Sequence, residues 1–393
     1  MQQLAPEFAV TCPPALSDKA PTLATLFSCG GLFDIGAMYA GFRPIWGVEY
    51  DPGNPTLSAV FADTYERNIG AHVKRQPVQE VDFSVLPRPD ALHASPVCKN
   101  FSIAKSNAVE VDGDITAAEA VCRAIASLKP QIFTLENVRG YVRSRAYQLI
   151  RDTLYGEGYG VSEEVVNTAD YGVPQSRVRL IVRAILGQFP PPTLPLEAKM
   201  GWYEALADLI PNLPESVLAQ WQRERLSRAC SLLAHSVQSQ IQLELFIESR
   251  NRNDNGRQYR EASNPSTVTD YSHSHGAPLI LVERSGARNT IKIRTPDSPA
   301  WTIKSAVFTD QNGANRNNAI NILLESGKVL RLTPRAIARL QTVPDWYELP
   351  EEIKYAGPLE REWSSLPASH THYGGVENGL KLAFNRFTQF KQW

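Results

Sequence analysis

Thr22-Leu23-Ala24-Thr25-Leu26-Phe27-Ser28-Cys29-Gly30-Gly31 is the stretch on which the reading of this chain turns. An apolar, β-prone run stops at a Ser-Cys-Gly-Gly turn. Ile35, Met38 and Tyr39 then recur at helical spacing up to Gly41-Phe42. Strand, glycine turn and helix form the opening unit of a Rossmann-like sheet, in which glycines let a cofactor approach the backbone at a helix N-terminus. A tight turn that binds nothing uses the same residues, so the reading has to be settled at other strand ends.

Working outward, Pro44-Ile45-Trp46-Gly47-Val48-Glu49 is a second strand that ends in a carboxylate. An acid about twenty residues past the glycine turn is placed to accept both hydroxyls of a ribose. A helix from Ala59 to Asn68 follows, and Val81-Asp82-Phe83 supplies another acid, for which a solvated surface role is equally expected. The third decisive segment is Ala91-Leu92-His93-Ala94-Ser95-Pro96-Val97-Cys98, a small-residue strand running into a proline and a thiol, then a polar, flexible stretch as far as Asp114. Open α/β sheets place their ligands at such strand ends. After a helix over Ile115–Leu128, the strand Gln131–Val138 ends in Glu136-Asn137, so a Cys and a Glu at neighbouring strand ends could face one substrate. A helix over Arg145–Leu154, a strand over Val161–Val166, the block Asn167–Arg179 and a strand over Leu180–Ile185 complete an alternation that predicts a mainly parallel, doubly covered sheet.

Phe189-Pro190-Pro191-Pro192-Thr193-Leu194-Pro195 breaks that pattern and reads as a linker. Beyond it, Leu206–Leu245 is expected to be largely helical, Arg250–His275 a polar loop, and Leu279–Ile322 a set of short β-prone runs. Arg250, Arg252, Arg257, Arg260, Arg284, Arg288, Lys292, Arg294, Lys304 and Arg316 outnumber Asp254, Glu261, Asp270, Glu283, Asp297 and Asp310 in this part. Such an excess suits a nucleic-acid surface, although an ordinary solvated face accounts for it too. Leu332–Gln341 is a helix with Pro334 near its start, and Tyr373–Gly379 precedes a last apolar helix.

Composition bounds the answer. The 393 residues allow two domains, and a net charge of −1 makes any nucleic-acid surface local. No run is long and apolar enough to cross a bilayer, and Met1–Lys19 reads as a polar arm without signal-peptide order. Cys12, Cys29, Cys98, Cys122 and Cys230 are scattered without a CxxC pair or a His at ligand spacing, which argues for a reducing compartment and against a structural metal.

In order along the chain, these segments resemble the DNA cytosine-C5 methyltransferases: the turn after Phe27, Pro96-Val97-Cys98-Lys99-Asn100-Phe101-Ser102, Glu136-Asn137-Val138, Tyr171-Gly172-Val173-Pro174-Gln175-Ser176-Arg177-Val178-Arg179, Leu332-Thr333-Pro334-Arg335 with Ala338-Arg339-Leu340-Gln341, and Asn378-Gly379. The resemblance implies an α/β, Rossmann-like S-adenosylmethionine-dependent methyltransferase sheet with a second, smaller target-recognition domain. The expected division is an arm at 1–20, a catalytic domain at 21–188, a recognition domain at 189–330, and a segment at 331–393 that returns to the catalytic domain.

It also implies roles. Cys98 would add to C6 of a flipped-out cytosine, Glu136 would contact N3 and the exocyclic amine, and Arg179 would hold the O2 side with Arg177 as its partner. S-adenosylmethionine would be held by Phe27, Ser28, Cys29, Gly30, Gly31, Glu49, Tyr50, Asp82, Phe83, Pro96 and Asn378. The implied setting is a monomer in a bacterial cytoplasm, at the nucleoid, acting on double-stranded DNA beside a possible cognate restriction endonuclease, with no metal and no membrane partner. Four departures stand out. Val97 replaces the proline that usually precedes the Cys, Lys99 replaces Gln, Glu377 replaces a Gly, and only Gly31 of the turn coincides with the family's glycines unless one residue is deleted. Two other readings share these residues: the same chemistry on RNA, and a homologue that binds DNA with weak or no turnover.

Overall fold

The structure is a computed structural model, and it describes residues 13–97, 100–101, 109–190, 196–215, 280–285, 290–294, 296–302, 320–324 and 328–350. The first strand, β1 (Thr22–Leu26), is followed by α1 (Leu32–Tyr39), β2 (Arg43–Val48), α2 (Pro55–Ile69) and the short β3 (His72–Lys74). Then come β4 (Ala91–Ala94), α3 (Asp112–Leu128), β5 (Ile132–Val138), α4 (Arg145–Gly156), β6 (Tyr159–Asn167) and β7 (Val178–Leu186). These strands form one seven-stranded sheet in the order β3-β2-β1-β4-β5-β7-β6. β1 pairs in parallel with both β2 and β4, while β7 runs antiparallel between β5 and β6. The order reverses between β1 and β4, so their C-terminal ends, Phe27 and Ser95, border the crevice where such sheets bind ligands.

Local chemistry fixes the helix ends. Asn54 caps α2 by accepting from the Leu57 amide, Pro55 opens the helix, and Gly70 closes it at φ 75°. Ser144 caps α4 through the Tyr147 amide. Asp114 reaches back to accept from the Val111 amide, so the acidic residues read as the end of a flexible stretch belong to the first turn of α3. Negative charge there meets the positive end of the helix dipole. The core between the sheet and α3/α4 packs Leu26, Val48, Phe133, Leu135 and Val182 against Val121, Ile125, Tyr147, Ile150 and Leu154. On the other face, Leu23, Phe33, Phe42, Leu57 and Phe61 bury α1 and α2.

A second sheet joins β8 (Ile280–Ser285), β9 (Thr290–Arg294), β10 (Ile320–Leu323) and β11 (Val329–Arg331) in the antiparallel order β11-β10-β8-β9. β8, β9 and most of β10 fall in Leu279–Ile322, where short β-prone runs are expected, whereas β11 lies beyond that stretch. The long helix expected over Leu206–Leu245 does not begin as read. α5 covers only Trp202–Leu206, a 3-10 turn at Ile210–Asn212 follows, and residues 216–245 lie outside the described residues. Pro211 and Pro214 remove amide donors, which ends helical continuation there. Finally, α6 (Pro334–Leu340) starts from a Thr333 cap and packs its Ala336 and Leu340 with Trp202 and Leu206 of α5.

Candidate active site

β4 and β5 are in parallel register with Ala94 beside Leu135, so the next residues, Ser95 and Glu136, stand side by side at the strand ends. The Ser95 hydroxyl donates to Glu136 Oε2 at 3.1 Å. From the opposite side, β7 brings Arg179 level with Val138, and its Nε meets Glu136 Oε1 at 2.8 Å. Both side chains are under 10% exposed, so this ion pair is shielded from water. The Asn137 amide donates to the Pro96 carbonyl at 2.9 Å, which anchors the backbone two residues before Cys98. Asn100 beyond it is tied to Asp114 at 2.9 Å, and the Phe101 ring meets Tyr141 edge-on at 5.0 Å. Gly140 leaves room for that approach, because a Cβ there would fall 2.3 Å from the Phe101 carbonyl oxygen. Cys98 itself lies outside the described residues, as do the remainder of the Lys99–Asn107 loop apart from Asn100 and Phe101, the Arg-rich loop at 250–275, the last helix and Asn378.

Arg177 is buried two residues before Arg179, with its amide donating to Asn167 Oδ1 at 2.8 Å. The segment that carries it is braced by residues beyond the linker. Ser176 donates to the Ala300 carbonyl at 2.7 Å, and Ala300 donates to the Pro174 carbonyl at 2.8 Å.

The glycine turn forms a second cluster. Phe27 and Cys29 both sit in the left-handed region, at φ 59° and 45°, a strained pair for non-glycine residues. Gly31, at φ 80°, is the N-cap of α1. Cys29 donates its amide to Glu49 Oε2 at 2.9 Å, which joins the turn to the end of β2. Burial pushes the Glu49 carboxyl up to about 7, only partly offset by the hydrogen bonds from Cys29. Beneath the turn, Asp34 accepts from Thr25 and Tyr65 and is pushed up to about 7, again by burial. Among the described residues, the buried Ser28 hydroxyl has no hydrogen-bond partner. A buried acid at a strand end, an unsatisfied hydroxyl and the half-buried Phe27 ring together fit a nucleoside: a carboxylate for its diol and an aromatic face for its base.

Two expected contributions look different in the structure. The glycines do not simply open space for a ligand. A Cβ on Gly31 would strike Ile69 and Tyr65, and one on Gly30 would fall 2.5 Å from the Tyr347 hydroxyl. Asp82 is exposed and caps a 3-10 turn by accepting from the Ser84 amide and hydroxyl, and those bonds hold its carboxyl below the usual range. Phe83 beside it is buried, and Tyr50 is exposed just past the end of β2. Tyr347, Ser95 and Asn137 received no role from the sequence. Ser95 and Asn137 were legible in principle, since each adjoins a named site residue.

A family model described as C-5 cytosine-specific DNA methylase matches residues 22–358. The Type II methyltransferase M.FnuDI of Fusobacterium nucleatum is 31% identical over 161 residues, covering 40% of this chain and 45% of that protein. The Type II methyltransferase M.NlaX of Neisseria lactamica is 24% identical over 324 residues, covering 80% of this chain and 85% of its own. The match to M.FnuDI thus spans about half of that relative, whereas the match to M.NlaX runs through both halves of the chain. Among solved structures, the Entamoeba histolytica methyltransferase EhMeth has a TM-score of 0.55 at 13% identity, covering 94% of this chain and 99% of that one, a likeness of fold.

Proposed function

This chain belongs to the C-5 cytosine-specific DNA methylase family, and from that premise we propose that it methylates C5 of a cytosine flipped out of duplex DNA, with Cys98 as nucleophile. The observation that carries this reading is the shielded Glu136–Arg179 pair at the mouth of the sheet, with Pro96 held by Asn137. Cytosine C5 is a poor nucleophile. Addition of the Cys98 thiolate to C6 makes C5 enamine-like, and Glu136 supports the charge at N3 while Arg179, partnered by Arg177, holds the O2 side. A free thiol near pKa ~8.5 is only a few per cent ionised at neutral pH, so Lys99 beside Cys98 has a use in favouring the thiolate. Loss of the C5 proton, then expulsion of Cys98, restores the ring.

S-adenosylmethionine, the methyl donor of the family, supplies an electrophilic methyl group when bound. Phe27 and Asp82 with Phe83 take the adenine, Glu49 the ribose, and Ser28 to Gly31, Tyr50, Pro96 and Asn378 the remaining surface. Residues 189–330 are the recognition region, with its basic residues over the DNA. Monomeric action, with a cognate restriction endonuclease as partner, is part of the same proposal.

The test is transfer of labelled methyl from S-adenosylmethionine to duplex DNA, single-stranded DNA and RNA in parallel, with the product base identified by mass spectrometry. Label in 5-methylcytosine from duplex DNA supports the reading. Label from RNA alone, or cofactor binding without transfer, replaces it.

A further inference from the structure

The segment after α6 grips the cofactor turn. Arg335 donates to the Pro344 and Tyr347 carbonyls at 3.1 and 2.6 Å. The Trp346 indole donates to the Tyr39 hydroxyl on α1 at 2.9 Å, and Glu348 is bonded through its backbone to Asn68 on α2. Arg339 spans Asp345 on this segment and Asp208 just after α5. Held from those sides, Tyr347 is 3% exposed and donates its hydroxyl to the Gly30 carbonyl at 2.7 Å, across 317 positions of sequence. The same hydroxyl lies 2.5 Å from where a Cβ on Gly30 would be, and the next nearest side-chain atom is Thr64 Cγ2 at 3.6 Å. Gly30 carries no left-handed φ. Its need for glycine therefore comes from Tyr347 and not from backbone conformation.

We propose that Tyr347 is a positioning residue for the cofactor turn, its hydroxyl fixing the Gly30 carbonyl and with it the strained Phe27–Gly31 backbone. This rests on the methyl-transfer reading for its consequence, since the turn is taken to hold S-adenosylmethionine. Phe27 and Cys29, the two left-handed residues, stay in place only if the surroundings over-determine them. Tyr347 provides that from a part of the chain remote in sequence.

The experiment is a double-mutant cycle on Tyr347→Phe and Gly30→Ala, read by titration calorimetry with S-adenosylmethionine and by thermal melting without it. Tyr347→Phe should weaken cofactor binding about tenfold, the worth of one buried hydrogen bond and its unsatisfied partner. Steady-state KM for the cofactor should rise alike, with KM for DNA and kcat little changed. Gly30→Ala should weaken binding and lower the melting temperature in the wild-type background, yet do neither in the Tyr347→Phe background, where the opposing oxygen is gone. Tyr39→Phe, which removes the hydroxyl that accepts from Trp346, should leave cofactor affinity intact. Unchanged affinity in Tyr347→Phe, or additive losses in the double variant, would overturn the assignment. A wild-type chain that binds no S-adenosylmethionine would refute the methyl-transfer reading and the positioning role together, and the melting cycle would show separately whether the Tyr347–Gly30 contact exists.

Discussion

Glu49 offers a measurable consequence of burial. Its carboxyl is pushed from 4.5 to about 7, chiefly by desolvation. A raised carboxyl pKa means that the folded state keeps a proton which the unfolded chain has already released. Between those two values stability therefore falls as pH rises, and the penalty is fully present above pH 7. With those endpoints, the loss attributable to Glu49 between pH 5 and pH 8 is about 2.5 kcal/mol. Glu49→Gln keeps the shape and the acceptor for the Cys29 amide but cannot ionise. Urea titrations of both proteins at pH 5 and pH 8 should show the wild type losing about 2.5 kcal/mol more than the variant over that interval. Asp34, also raised to about 7, contributes its own slope equally to both proteins and cancels in the comparison. Parallel stability curves would refute the burial argument for Glu49. If a ribose diol donates to the ionised carboxylate, cofactor binding near pH 6.5 also releases protons, and calorimetry in buffers of different ionisation enthalpy would count them.

Other consequences follow from single contacts. Glu136→Gln removes the carboxylate charge that faces the buried Arg179 Nε and should cost about 3 kcal/mol in chemical denaturation, besides removing transfer. Gly31→Ala forces a Cβ to 2.6 Å from Ile69 at φ 80° and should destabilise by about 2–4 kcal/mol, seen as a lower urea midpoint with an unchanged slope. Asp82→Ala removes an exposed cap whose carboxyl lies below its usual range, so a modest loss of stability should appear near neutral pH and fade as the medium is acidified through that range. Cys98→Ala should abolish methyl transfer while S-adenosylmethionine and DNA still bind. A duplex carrying 5-fluorocytosine should trap the wild type, but not this variant, in a denaturation-resistant adduct.

The parts of the fold that follow from local chemistry were open to reading. β1, α1, β2, β4, β5 and the helices α3 and α4 each carry an apolar period bounded by Gly, Pro or a capping Ser, Thr or Asn. β3 is three residues long and too short to show a period. The direction of β7 depends on the hairpin after β6, where the Thr168–Tyr171 turn and Gly172 at φ 75° send the chain straight back. The direct return makes β7 antiparallel to β6. At the site, Glu136 and Arg179 could be named from the chain because their neighbours are distinctive. Their contact needed the β5–β7 register to be visible. Tyr347 gave no local signal, because its partner Gly30 belongs to the other end of the chain and a lone tyrosine in a proline-rich turn reads as ordinary packing.

The most direct test of the account is bisulfite sequencing of DNA from a methylation-free bacterial host expressing this chain, beside the Cys98→Ala variant. Conversion-resistant cytosines confined to one short sequence context, and absent with the variant, are expected. Soluble protein with no resistant cytosines, or resistance that persists without Cys98, would contradict the account.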